Sequence, residues 1–161
     1  MNEFAVGGEN ITVAGATTLV FINPAAAPNV NIEIMRCWIG QSANATSAQQ
    51  RVQLETQVTA FPTLTSATPA KLKRASAVSV ITGGTTGAAG TSGINASAEG
   101  AGGKTSIFGD AFNVLSGWLW VPTPREVIVM PAGSASGFGL FFPAAPATLT
   151  GWTFGVNYAE V

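Results

Sequence analysis

Hydrophobic and polar residues alternate along much of this chain with a period of two. Across 50–59, Val52, Leu54, Thr56 and Val58 fall on one side, and Arg51, Gln53, Glu55, Gln57 and Thr59 on the other. That is the pattern of a strand half-buried in an antiparallel sheet. Near the C-terminal end, Trp152, Phe154, Val156 and Tyr158 alternate with Thr153, Gly155 and Asn157 in the same way. Runs rich in β-branched and aromatic residues predict further strands at 11–14, 17–23, 30–40, 77–82, 112–121, 126–130 and 137–142. Turn formers separate them: Asn23-Pro24, Ala27-Pro28-Asn29, Gly83-Gly84, Pro122-Thr123-Pro124, Ala132-Gly133-Ser134 and the proline-bounded stretch 143–146. No segment carries an apolar helical stripe of four turns, although 43–49 and 110–115 are compatible with short helical turns.

Eight or nine short strands without a long helix predict an all-β chain. The expected architecture is an antiparallel β-sandwich, jelly-roll-like, in one domain spanning 1–161. An immunoglobulin-like sandwich is the competing topology, but the Cys–Trp–Cys pattern of those domains is absent.

Two stretches depart from simple alternation. Within 30–40, Val30, Ile32 and Ile34 share a face with Arg36 and Trp38, whereas Met35, Cys37 and Ile39 lie opposite. Either a bulge switches the parity near Met35 or both faces of the strand are covered. Residues 82–104 hold eight glycines among Ala, Thr and Ser. They read as a long loop, either a flexible linker or an arm that orders against a neighbour. Residues 1–8 are a second candidate arm.

Composition then narrows the function. Only 9% of the 161 residues are charged, against about 25% in a typical soluble domain. Fifteen ionic side chains, seven basic and eight acidic, leave much of the exterior to Ala, Gly, Thr, Ser and apolar groups. Large apolar exposure in nature marks an interface, so the chain is expected to assemble with copies of itself or with a larger lattice; a neutral, Thr/Ser-rich monomer is the alternative. With no histidine and one cysteine, Cys37, the chain has no internal disulfide, no Cys/His zinc site and no histidine-based triad. No cofactor is expected. Seven basic residues without a basic run argue against nucleic acid as a partner. No stretch resembles a membrane-spanning helix, and the absence of Lys or Arg before Arg36 does not suit a secretory signal.

The remaining chemistry is sparse. Glu33, Glu55, Asp110, Glu126 and Glu160 are the candidate acid–base carboxylates. Glu33 and Glu55 lie on separate expected strands that could be neighbours, and each also reads as part of a solvated face. Lys71, Lys73 and Arg74 form the one basic cluster, either a solvated loop or a contact for an acidic patch on a protein partner. Trp118, Trp120 and Trp152 serve either as core or as a platform for stacking on sugars. The residues expected to contribute to an interface are Phe4 from the arm, Met35, Cys37 and Ile39 from the second strand face, the cluster Lys71, Lys73 and Arg74, and Lys104 at the end of the glycine-rich stretch.

Three stretches carry a resemblance. They are IEIMRCWIGQS at 32–42 followed by RVQLET at 51–56; TSATPAKLKRA at 65–75; and the run FNVLSGWLW at 112–120, PREVIVMPAG at 124–133, GFGLF at 137–141 and the closing Ala159-Glu160-Val161. Together they resemble a loose family of small β-sandwich decoration or cement proteins from the heads of tailed bacteriophages. The resemblance implies a non-enzymatic virion structural protein, made in the host cytoplasm and seated on the outer capsid surface, a homotrimer favoured, where it bridges major capsid protein subunits. A receptor- or carbohydrate-binding module of a head fibre or tail tip is the alternative. A major capsid subunit of single jelly-roll type is a third reading, disfavoured by the small size and the lack of a basic arm.

Overall fold

A computed structural model describes residues 1–133 and 135–161. Ser134, the last residue of the turn expected at 132–134, lies outside the described residues; Ala132 and Gly133 do form a turn. Every element among the described residues is a strand. In chain order they are β1 (Asn2–Ile11), β2 (Thr17–Asn23), β3 (Ile32–Gln41), β4 (Gln49–Val58), β5 (Thr63–Ser66), β6 (Ala70–Lys71), β7 (Thr82–Gly83), β8 (Thr91–Ala98), β9 (Gly103–Asn113), β10 (Trp118–Trp120), β11 (Ile128–Met130), β12 (Ser136–Phe142) and β13 (Trp152–Glu160).

Two antiparallel sheets pack face to face. The first runs β10–β3–β13–β1–β6, with β11 beside β10 along the same edge of β3. The second runs β5–β8–β2–β12–β4–β9, with the two-residue β7 parallel to β8. Without the segment β5–β8, the strands interleave as G–D–I–B and C–H–E–F of an eight-stranded jelly roll. Here β1 to β4 are B to E, β9 is F, β10 and β11 together are G, and β12 and β13 are H and I. The core lies between the sheets and is filled by inward-facing residues of strands from both, including Leu19, Ile34, Leu54, Leu140, Trp152 and Phe154. The accessible surface is 7303 Å², close to the roughly 7,500 Å² of a compact monomer of this mass.

The bulge anticipated near Met35 is present. Asn157 of β13 pairs with Arg36, but the next residue, Tyr158, pairs with Ile34, so Met35 is the extra residue. The inserted residue reverses the parity of β3, and Ile32, Ile34, Cys37 and Ile39 all reach the core.

Several expectations are corrected. Residues 82–104 are not a long loop: β8 runs through their centre and pairs with both β2 and β5. Its glycines provide close approach. A Cβ on Gly93 would come within 2.8 Å of the Gly84 carbonyl oxygen and 2.9 Å of the Thr65 carbonyl oxygen. Residues 1–8 are not an arm, since nearly all of them belong to β1, held between β13 and β6. The expected strand at 77–82 is regular only at Thr82. The run 112–121 is broken in two, because the Asn113 side chain accepts a hydrogen bond from the Leu115 amide at 3.0 Å and turns the chain before β10. No helical turn occurs at 43–49 or 110–115 among the described residues.

The segment between β4 and β9 also builds a second, smaller core. Phe21 of β2 points away from the main core and packs with Leu64, Ala96 and Phe61. This is why β2 is buried along its whole length.

Candidate functional site

Any acid–base chemistry in this chain would fall to its few charged groups. Glu33 lies on β3 in one sheet and Glu55 on β4 in the other, so they are not neighbours. Glu55 is also not on a solvated face: it is 2% exposed. Its carboxylate lies 3.0 Å from the Lys104 ammonium, and Lys104 lies 2.7 Å from Glu99. Glu99 in turn accepts hydrogen bonds from the amide and hydroxyl of Thr18, each at 2.6 Å. The Lys104 ammonium also sits 3.7 Å above the centre of the Phe141 ring. Burial pushes the Glu55 pKa above its ordinary value, and the Lys104 charge opposes that rise. Lys104 is therefore committed to a clamp that joins β9 to β4 and to the β8–β9 connection.

Glu160 has a similar structural task. It accepts hydrogen bonds from the Ser79 hydroxyl at 2.5 Å and the Val80 amide at 3.0 Å. Ser79 also lies 2.9 Å from the Tyr158 hydroxyl. Burial raises the Tyr158 pKa. This cluster pins residues 79–81 to the end of the first sheet.

The surface is more informative. At one side of the sandwich, edge strand β9 faces edge strands β10 and β11 across the gap between the sheets. Three cross-sheet contacts lie along or near this side. Phe108 meets Trp120 with ring centres 6.4 Å apart, Trp118 donates its indole N–H to Asp110 at 3.0 Å, and Phe112 meets Trp152 edge-on at 6.5 Å. A bulge in β9 changes the register here. Leu54 pairs with Phe108 and Glu55 with Ser106, which leaves Ile107 as the inserted residue. A bulge in an edge strand discourages strand-to-strand addition and redirects side chains outward. Beside it is a groove of about 320 Å³ lined by Ile107, Phe108, Trp120, Glu126 and Ile128. On the outside of the same edge, Leu119, Val121 and Val129 are exposed, Leu119 by 63%.

The opposite edge of the first sheet is different in character. There β6 pairs with β1, and the chain continues through Leu72, Lys73 and Arg74 to Val78. Lys71, Lys73 and Arg74 are exposed, as are Leu72 and Val78, the latter by 77%. Lys73 holds Glu3 at 2.7 Å. These three cations with Glu3 and with Glu160, which is bonded to Ser79 and Val80 further along the same segment, leave +1 on this edge; the four other cations with the other six carboxylates leave −2, which together make the net −1.

No family model, curated protein or solved structure matches the chain. Its interaction surface is therefore read from its own geometry. Of the residues expected at an interface, Phe4, Cys37 and Ile39 belong to the core instead. Phe4 packs against Tyr158 with ring centres 5.6 Å apart and the rings tilted by 33°. Cys37 is a free thiol whose pKa is raised by burial. Met35 is half-buried at the bulge, and Lys104 is held in its clamp. Lys71, Lys73 and Arg74 remain on open surface.

The tryptophans divide as well. Trp118 and Trp152 are buried, so neither offers a face to a sugar ring. Trp120 is half-buried in the groove. The reading from sequence missed Ile107, Phe108 and Leu119. The adjacent apolar pair in GKTSIFGDAFN and the leucine between two tryptophans are the signals that mark them.

Proposed function

We propose that this chain is a non-enzymatic structural subunit of a virion shell, decorating its outer surface and bridging major capsid subunits. The observation that carries this reading is the concentration of exposed apolar side chains, Ile107, Phe108, Leu119, Val121 and Val129, along one side of a molecule with only 9% charged residues. The jelly-roll framework and the sequence resemblance to phage decoration proteins support it. The action is mechanical. A subunit that binds the assembled lattice and not the separated capsid proteins stabilises the lattice by mass action. Many equivalent weak contacts then add through multivalency. The low charge keeps closely packed copies from repelling one another.

The test is co-sedimentation of the purified chain with shells from a virus lacking this gene, followed by heating of the shells. Bound chain and a higher shell disruption temperature are expected. A chain that stays in the supernatant and leaves the disruption temperature unchanged would refute the reading.

A further inference from the structure

We infer that this chain binds a second copy of itself head to tail, the basic edge of one copy entering the groove edge of the next. This contact deepens, and rests on, the reading of the chain as an assembly subunit. Two unlike patches lie at opposite edges of the first sheet, one of them completed by β9 of the second. One is the 320 Å³ hollow walled by Ile107, Phe108, Trp120 and Ile128, with the Glu126 carboxylate in its lining. The other is a knob in which Leu72, 46% exposed, stands between Lys71 on one side and Lys73 and Arg74 on the other. The hollow calls for an apolar side chain accompanied by positive charge, and the knob supplies both.

Charge decides the orientation. Two copies meeting through the same basic edge would set Lys71, Lys73 and Arg74 against their equivalents, a like-charge arrangement that costs affinity. Meeting through unlike edges brings the basic cluster to the Glu126 carboxylate in the lining of the hollow. The bulge at Ile107 points to side-chain docking in place of strand addition, because it interrupts the regular edge of β9.

The position of the patches sets the form of the assembly. They are separated by the strands β3, β13 and β1, so four inter-strand steps of about 4.8 Å place them roughly 19 Å apart. After one contact forms, each copy therefore still presents an unused knob or hollow. Such a heterologous contact repeats and closes into a ring when its rotation permits. The contact covers Leu72 and Ile107, two of the exposed apolar residues the sparse charge leaves unexplained.

Complementary variants test this by sedimentation velocity on the full chain. Leu72→Glu removes the knob and Ile107→Glu removes the hollow; both positions are 46% exposed, and near-UV circular dichroism checks each fold. Wild type is expected to sediment as an assembly, each variant alone as a monomer, and an equal mixture as a dimer and nothing larger. The dimer arises because one intact knob meets one intact hollow. Glu126→Lys, on the groove rim, is a second hollow variant that leaves the apolar packing untouched, and it should behave as Ile107→Glu does. A wild-type chain that is monomeric at low and high salt overturns the contact. So do variants that keep the wild-type mass, or a mixture that rebuilds the full assembly. Shell co-sedimentation separates the two ideas. A monomer that still binds shells removes the contact and spares the shell role; an assembly that ignores shells does the reverse.

Discussion

The indole N–H of Trp118 donates to the carboxylate of Asp110 at 3.0 Å, and through this bond the edge of one sheet holds the edge of the other. Asp110 is the one aspartate of the chain and lies on β9, whereas Trp118 opens β10 after the intervening turn. Asp110→Ala leaves the donor of a nearly buried tryptophan without its partner. The expected cost is about 1–2 kcal/mol, read as a lower urea midpoint. Asp110→Asn, which keeps an acceptor, should lose less. Equal stability of the alanine variant and wild type would show that the bond does not close the sandwich.

Trp152 anchors one end of the core, where β1, β3 and β12 finish and β13 begins. It is fully buried, meets Phe142 edge-on with ring centres 4.9 Å apart, and donates its N–H to the Thr148 carbonyl at 2.8 Å. Trp152→Ala should cost about 3–5 kcal/mol, a large part of the roughly 5–15 kcal/mol that holds a domain of this kind. Thermal unfolding should show a chain that melts far below wild type or does not fold. A small shift would mean that the neighbouring rings collapse into the space.

Cys37 is buried with its thiol held protonated, because the charged form is not solvated there. A thiol-specific reagent should therefore label no cysteine in the native chain and one per chain in denaturant. Rapid native labelling would show that β3 opens.

Glu55 predicts a pH effect of definite sign. Its pKa is raised on folding above the ordinary 4.5 by burial. A raised carboxyl pKa means that the folded state binds the proton more tightly than the unfolded state. The favourable contribution is then complete below 4.5 and is lost as the pH rises through the folded-state value. In Glu55→Gln this dependence is absent. The melting temperature of wild type relative to Glu55→Gln should fall as the pH is raised from acid to neutral. A difference that instead grows toward neutral pH would show the Lys104 attraction to outweigh the burial.

The local parts of this fold were legible because a strand writes its faces in alternation. The expected bounds of β2, 17–23, coincide with the strand, and Trp152, Phe154, Val156 and Tyr158 turn inward together. The break in parity at Met35 also marked a real bulge. Alternation was less informative where a strand has material on both sides. Glu55 and Gln57 read as a wet face of β4, yet both are buried. Trp38 sits on the outer face of the first sheet, across Gly155, where a Cβ would overlap its indole. The glycines of 82–104 misled for a related reason: the same residue supplies freedom in a loop and clearance in a crowded sheet.

For the candidate surface, the basic cluster at Lys71, Lys73 and Arg74 was visible as a run in the chain, but its counterpart was not. Ile107, Trp120 and Glu126 come from three separate segments and meet only because β9 and the β10–β11 edge close the same side of the sandwich.

The order of residues alone determined the strand period, the all-β class and the scarcity of charge. These depend on neighbours in sequence or on simple sums. Which strands pair, which faces are covered and where the unlike edges lie were decided by the tertiary structure. A period of two states which side chains share a face, whereas the material against that face is set by segments scores of residues away.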